Sequence, residues 1–142
     1  MDDRLYGYAG KVLWVDLTKK SVRVRPLDEE LARRYIGGKG FGAKIIHEVA
    51  PPKVDPLYPA NLLILAIGPV NGLALGGAAR LCAVFKSPIT EGWGESLNVG
   101  FLCPSHLKKA GYDAMVVVGR AERPTYILVE DDAVEVRDAS HL

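Results

Sequence analysis

Residues 56–79, between Asp55 and Arg80, carry no charged side chain. A run of that length is long enough to cross a bilayer as a helix. Its content argues against one: Pro56, Pro59, Asn61, Gly68-Pro69, Asn71-Gly72 and Gly76-Gly77 interrupt it. A lipid-exposed helix does not carry so many breakers. The stretch reads instead as a buried strand at 62–67 followed by an uncharged, Gly-rich loop. No membrane span is expected.

The rest of the chain must therefore build a core around that strand. Its 142 residues suit one domain, or a piece of a larger protein. Apolar residues make up 49% and charged residues 25%, which excludes disorder, collagen and coiled coil. Lys and Arg number 18 against 17 Asp and Glu, so no electrostatic footprint for nucleic acid or an acidic membrane is present. Cys82 and Cys103 are too few for a disulfide scaffold and form no CxxC pair. They read as free thiols in a reducing compartment. The start, Met1-Asp2-Asp3-Arg4, has no apolar segment behind it, so no secretory signal is expected and the location reads as cytoplasmic.

Residues 11–17 read as a strand, 18–20 as a polar turn, and 21–25 as a second strand. In that second strand Val22 and Val24 alternate with Arg23 and Arg25, giving a hairpin with one wet face. Pro26 ends it. Asp28 is an N-cap, with Glu29 and Glu30 in the first helical turn. That helix is expected to bury Leu31, Tyr35 and Ile36, and to stop at Gly37-Gly38. A second helix is expected over 41–50, with Ile45, Ile46 and Val49 as its apolar stripe, ended by Pro51-Pro52. Strand 62–67 is apolar throughout and should be covered on both faces. A strand at 80–86, mostly loop at 87–103, a short helix at 104–110 and a strand at 114–118 follow. A last hairpin joins 125–130 to 133–137. The first and last hairpins resemble each other, either as an internal duplication or as two ordinary hairpins of shared β-propensity. The class is α+β: mixed β-sheets with hairpins and a few short helices.

Three glycine-rich segments are candidates for chemistry. Gly37-Gly38-Lys39-Gly40-Phe41-Gly42 lies between helices, outside the strand-turn-helix context of a dinucleotide fingerprint. It reads as a helix cap and tight turn, or as a backbone cradle for a ligand. The second segment, 68–80, ends in Gly76-Gly77-Ala78-Ala79-Arg80. An arginine behind small residues can offer its planar fork of donors to a flat ligand or a phosphate; the alternative is a surface salt bridge. The third segment, Gly92 to Gly100, reads as a long loop whose Asn98 and Gly100 tolerate left-handed geometry and so can turn carbonyls toward a cation. No nucleophile-elbow triad exists, and His47, His106 and His141 lack metal-site spacing. Two cysteines cannot bind an iron–sulfur cluster, which needs about four ligands.

The ordered landmarks resemble the N-terminal domain of the tungsten-bispterin aldehyde:ferredoxin oxidoreductase family. They are Tyr6-Gly-Tyr-Ala-Gly-Lys-Val-Leu, Asp-Glu-Glu-Leu-Ala at 28–32, Ile-Gly-Gly-Lys-Gly at 36–40, Asp-Pro-Leu at 55–57, Asn-Leu-Leu-Ile at 61–64, Gly-Pro-Val at 68–70, Arg80, Lys-Ser-Pro-Ile-Thr at 86–90, Ala-Gly-Tyr-Asp at 110–113 and Gly-Arg-Ala-Glu-Arg-Pro-Thr-Tyr at 119–126. The resemblance implies a protein that oxidises aldehydes to carboxylic acids and passes electrons through a [4Fe–4S] cluster to ferredoxin. It implies tungsten between two pterins whose phosphates are bridged by magnesium. It implies that residues 1–142 are a partial pterin-binding domain, with the catalytic and iron–sulfur domains elsewhere; apolar surface that those domains would cover, above all in 56–79, predicts self-association of the chain alone. Arg80, Asn98 and Gly100 are the implied pterin contacts, and the Asn98 carbonyl the implied magnesium ligand.

The stretch Asn98-Val-Gly-Phe-Leu-Cys-Pro-Ser-His departs from the family pattern. Phe101 stands where a second Gly is usual, Pro104 where another is, and His106 replaces Glu. The segment from Pro88 to Asn98 is also one residue longer. These departures carry the competing expectation, a non-catalytic binding or assembly module that kept the fold.

Overall fold

The computed structural model describes residues 5–100 and 102–142, and for 95–99 the backbone alone. Eleven elements follow one another: β1 (Lys11–Asp16), β2 (Ser21–Pro26), α1 (Glu29–Tyr35), α2 (Lys39–Val49), β3 (Leu63–Ile67), β4 (Leu81–Lys86), β5 (Trp93–Val99), α3 (Leu102–Lys109), β6 (Ala114–Val118), β7 (Thr125–Glu130) and β8 (Ala133–Asp138). Six strands form one mixed sheet in the order β2-β1-β6-β3-β4-β5, and β7-β8 form a separate hairpin sheet. Only β1 and β6 pair in parallel; the other pairs are antiparallel. This is the α+β class read from the sequence.

Both faces of the large sheet are covered. On one, Val12, Ile64, Ala66, Val84 and Val116 meet Ala32, Phe41, Ile45 and Ile46 of the first two helices. On the other, Leu13, Val15, Ile67 and Leu81 meet Leu107 of α3, with Ile127, Val129, Val134 and Val136 of the small sheet packed against them. Successive strand residues point to opposite faces, so β3 feeds Ile64 and Ala66 to one core and Leu65 and Ile67 to the other. That is why it reads as unbroken apolar sequence. Among the described residues no helix is long and apolar enough to cross a membrane.

Asp28 caps α1 as its position suggests, accepting a hydrogen bond from the Glu30 amide at 2.8 Å. The buried face of α1 differs from the expected one. Ala32 is the residue that faces the core, while Tyr35 and Ile36 are exposed. Ile36 adopts φ 63° as the helix ends, which turns it out of the helical face. Helix α2 starts two residues before the expected 41, and Gly42 rather than Val49 completes its buried stripe. At Gly42 a Cβ would overlap Val84 of β4, so only glycine lets this helix lie so close to the sheet.

The expected loop over 87–103 is the largest correction. Residues 93–99 form β5, paired antiparallel with β4 from Lys86↔Trp93 to Leu81↔Val99. Their composition is poor in strand formers, but β4 offers an unpaired edge, and tertiary context outweighs propensity in strands. The pairing is interrupted once. Ala83 faces Ser96 and Leu81 faces Val99, so Leu97 and Asn98 together oppose Cys82 in a β-bulge.

Candidate functional site

Strand register brings several loops to one end of the large sheet. Ile67 pairs with Leu81, Leu81 with Val99, and Ala114 with both Ala66 and Val12. The end of β3, the start of β4, the end of β5 and the starts of β6 and β1 therefore lie side by side. From this end leave segments 6–10, 68–80, residue 100 and 110–113. The Gly38 amide also donates to the Ile67 carbonyl there, at 3.1 Å.

The three glycine-rich segments separate in their roles. At Gly37 a Cβ would collide with the Ile67 carbonyl, and at Gly42 with Val84. The first segment is thus used up in packing α2 onto the sheet, which favours the cap-and-turn reading over a ligand cradle. The third segment is divided by β5. Gly100 sits at the convergent end, and Gly94 six residues away along the strand, roughly 20 Å distant.

Arg80 and Gly100 are brought together. A Cβ at Gly100 would lie 3.4 Å from Arg80 Nη1 and 3.6 Å from the Ala79 carbonyl. Glycine keeps the space beside the guanidinium open. Arg80 is exposed, and among the described residues no ion pair engages it. Among the described residues its planar set of donors is thus available to an anion. A Cβ at Gly76 or Gly77 would meet nothing within 4 Å, so these two glycines border open space.

Asn98 lies in the bulge, one strand position before Val99, which pairs with Leu81. A bulge leaves one of its two residues outside the ladder, and a backbone carbonyl so released is available to a hard cation. Any contact of the Asn98 side chain, and the departure at Phe101, lie outside the described residues. Around Arg80 the loop shows large apolar side chains to solvent: Val70, Leu73 and Leu75 are 50%, 57% and 60% exposed. Asn71 is the contrast, 6% exposed. Its Oδ1 accepts from the Gly68 amide at 2.8 Å and its Nδ2 donates to the Arg80 carbonyl at 2.9 Å.

Beneath this surface lies a polar cluster that sequence reasoning missed. Asp113, wholly buried, accepts from the Ala9 and Gly10 amides at 3.1 and 2.7 Å and from Lys108 Nζ at 2.6 Å. Lys108 Nζ also donates to the Gly7 carbonyl at 2.8 Å and lies 5.6 Å from the Tyr8 ring centre. The Tyr8 hydroxyl donates toward the Ile36 carbonyl at 2.7 Å. Burial, with the Asp113 charge nearby, raises the Tyr8 pKa above its ordinary 10.0. The landmarks at 6–10 and 110–113 are the two halves of this cluster, joined across about a hundred residues. The histidines His47, His106 and His141 are exposed. No group of three His, Cys, Asp or Glu side chains able to hold a metal gathers among the described residues.

The family model for the N-terminal domain of aldehyde ferredoxin oxidoreductase matches residues 12–142. The tungsten-containing aldehyde ferredoxin oxidoreductase of Pyrococcus furiosus is 41% identical over 138 residues, covering 97% of this chain and 23% of that protein. The same organism's aliphatic sulfonate oxidoreductase, WOR-like subunit, is 37% identical over 143 residues, covering 96% of the chain and 22% of that protein. Among solved structures, a chain of the active-site complex BamBC of benzoyl coenzyme A reductase, with 1,5-dienoyl-CoA, superposes with a TM-score of 0.92 at 39% identity. That match covers 96% of this chain and 21% of the other. The chain thus spans less than a quarter of the length of these relatives.

Proposed function

The chain belongs to the aldehyde ferredoxin oxidoreductase family, to whose N-terminal domain it corresponds, and from that premise we propose that it is the cofactor-holding floor of a tungsten-pterin oxidoreductase. The intact protein would oxidise aldehydes to carboxylic acids and pass electrons to ferredoxin in the cytoplasm. In this reading residues 1–142 form a partial pterin-binding domain. The [4Fe–4S] cluster and the groups that touch the aldehyde belong to the rest of the protein.

The placement of Arg80 beside Gly100 carries the proposal. An exposed guanidinium with no ion pair among the described residues, next to a backbone position where a Cβ would narrow the approach, suits an anionic planar ligand. The donors fit the group. Arg80 would bind a pterin or its phosphate, Gly100 would leave room for it, and the Asn98 carbonyl would offer an oxygen ligand to magnesium. Tungsten held by two pterins supplies the two-electron redox chemistry when bound. The chain's own residues bind and orient. Asn71 fixes the backbone at Arg80, and the uncharged loop 68–79 offers no side chain that repels a phosphate. The relatives named above carry different reactions on this same domain, which supports a role in holding the cofactor rather than choosing the substrate.

The test is the metal and pterin content of the full-length protein from tungsten-supplied cells, with aldehyde-dependent reduction of a viologen dye. The full-length protein is expected to retain both and to turn over; the 142-residue chain alone is expected to show no turnover. Full-length protein that retains no pterin would favour the non-catalytic module.

A further inference from the structure

We infer that Lys108 is a positioning residue for this floor: its side chain sets loop 68–80, and with it Arg80, from beneath. The inference rests on the reading above. Lys108 touches the loop by two routes. Its stem underlies Gly72, where a Cβ would lie 3.3 Å from Lys108 Cγ, and Gly72 has φ +89°. Its ammonium holds the Gly7 carbonyl at 2.8 Å, and Gly7 in turn abuts Pro69, where a Cβ would lie 2.8 Å from the Pro69 carbonyl oxygen. Both Pro69 and Gly72 are thereby placed.

Between them sits Asn71, which converts that placement into the position of Arg80. It bonds the Gly68 amide on one side and the Arg80 carbonyl on the other. The path from Lys108 to Arg80 is therefore an unbroken series of contacts. Its base is fixed. Asp113, the partner of Lys108, is tied into the sheet through its own backbone, donating to the Lys11 carbonyl at 2.9 Å and accepting from the Ile67 amide at 3.0 Å.

Within these 142 residues apolar burial does not supply this placement. Val70, Leu73 and Leu75 face solvent, and of the residues between Gly68 and Arg80 only Asn71 and Ala78 are buried. A loop held by few apolar contacts takes its geometry from its polar ones. Removing the ammonium should thus loosen this loop before it loosens the sheet.

The experiment uses the full-length protein, with Lys108→Met, Lys108→Arg and the charge-free pair Lys108→Met with Asp113→Asn. The pair keeps the test valid if the single methionine variant, with its buried carboxylate unpaired, fails to fold. Amide hydrogen exchange is read in protein prepared without tungsten, and pterin content after gel filtration in protein prepared with it. In Lys108→Met, or in the pair, residues 68–80 should exchange about tenfold faster while β1 and β3 keep their protection. Pterin content should fall, and Lys108→Arg should restore most of it. Unchanged exchange at 68–80, an even loss of protection across the chain, or a loosened loop with full pterin content would overturn the inference. Arg80→Ala is run in parallel. Full pterin content in that variant overturns the cofactor-floor reading itself, whereas loss there with retention in the Lys108 variants overturns only the positioning role.

Discussion

Two buried polar residues make opposite demands on this fold. Tyr112 is wholly buried and its hydroxyl has no hydrogen-bond partner among the described residues. A buried donor left unpaired costs about 1–3 kcal/mol. Tyr112→Phe keeps the ring and removes the orphan, so it is expected to raise stability by about 1 kcal/mol, read as a higher unfolding midpoint. Asp113 has every oxygen engaged, and Asp113→Ala leaves Lys108 charged and largely buried without its partner. That loss is expected to cost about 3–5 kcal/mol in denaturant titration. The tyrosines also set an alkaline limit. Burial raises the pKa of both Tyr8 and Tyr112 above the ordinary 10.0. Each phenol then holds its proton more tightly folded than unfolded. Its contribution to stability is full below pH 10 and is lost as pH rises through the folded value. The unfolding midpoint should fall more steeply above about pH 10 in the parent than in a Tyr8→Phe, Tyr112→Phe double variant. Equal slopes would contradict the assignment.

Elements differ in how openly the sequence declares them. Helix α1 was legible because its cap is local: Asp28 and Glu30 are two residues apart. Strand β3 was legible because both its faces are covered. Strand β5 was hidden because Gly92-Trp93-Gly94-Glu95-Ser96 matches no strand pattern, and only the free edge of β4 makes it one. The bulge at Leu97 and Asn98 accommodates one extra residue opposite Cys82. Helix α2 betrays a different limit. Its glycines read as either a turn or a ligand cradle, and the choice lies in Val84, a residue forty-two positions away. Gly42→Ala gains roughly 1 kcal/mol of helix propensity but forces Val84 or the helix to move, at about 1–3 kcal/mol. A net loss of stability is expected, recovered when Val84→Ala is added. No loss in Gly42→Ala would mean that α2 does not lie this close to β4.

At the scale of the whole molecule, the sequence held the family but not the polar cluster beneath the loop that ends at Arg80. The Lys108–Asp113 cluster joins residues 101 to 104 positions apart, a separation that no local pattern reveals. The surface it supports is unusual for an independent domain. Val70, Leu73 and Leu75 stand exposed at one end of the sheet in a stretch without charge, and exposed apolar patches recruit a partner. The 142-residue chain by itself is expected to self-associate; light scattering that finds only monomer at high concentration would contradict this. The central claim is that this end of the sheet is a cofactor floor organised around Arg80. It is tested most directly by tungsten and pterin content per full-length protein after gel filtration of Arg80→Ala and Arg23→Ala. Arg23 lies exposed on β2, away from the convergent loops, and its loss should change little. Arg80→Ala removes a charge-assisted contact and should weaken cofactor retention by about 10–150-fold. Equal cofactor content in the two variants would contradict the account.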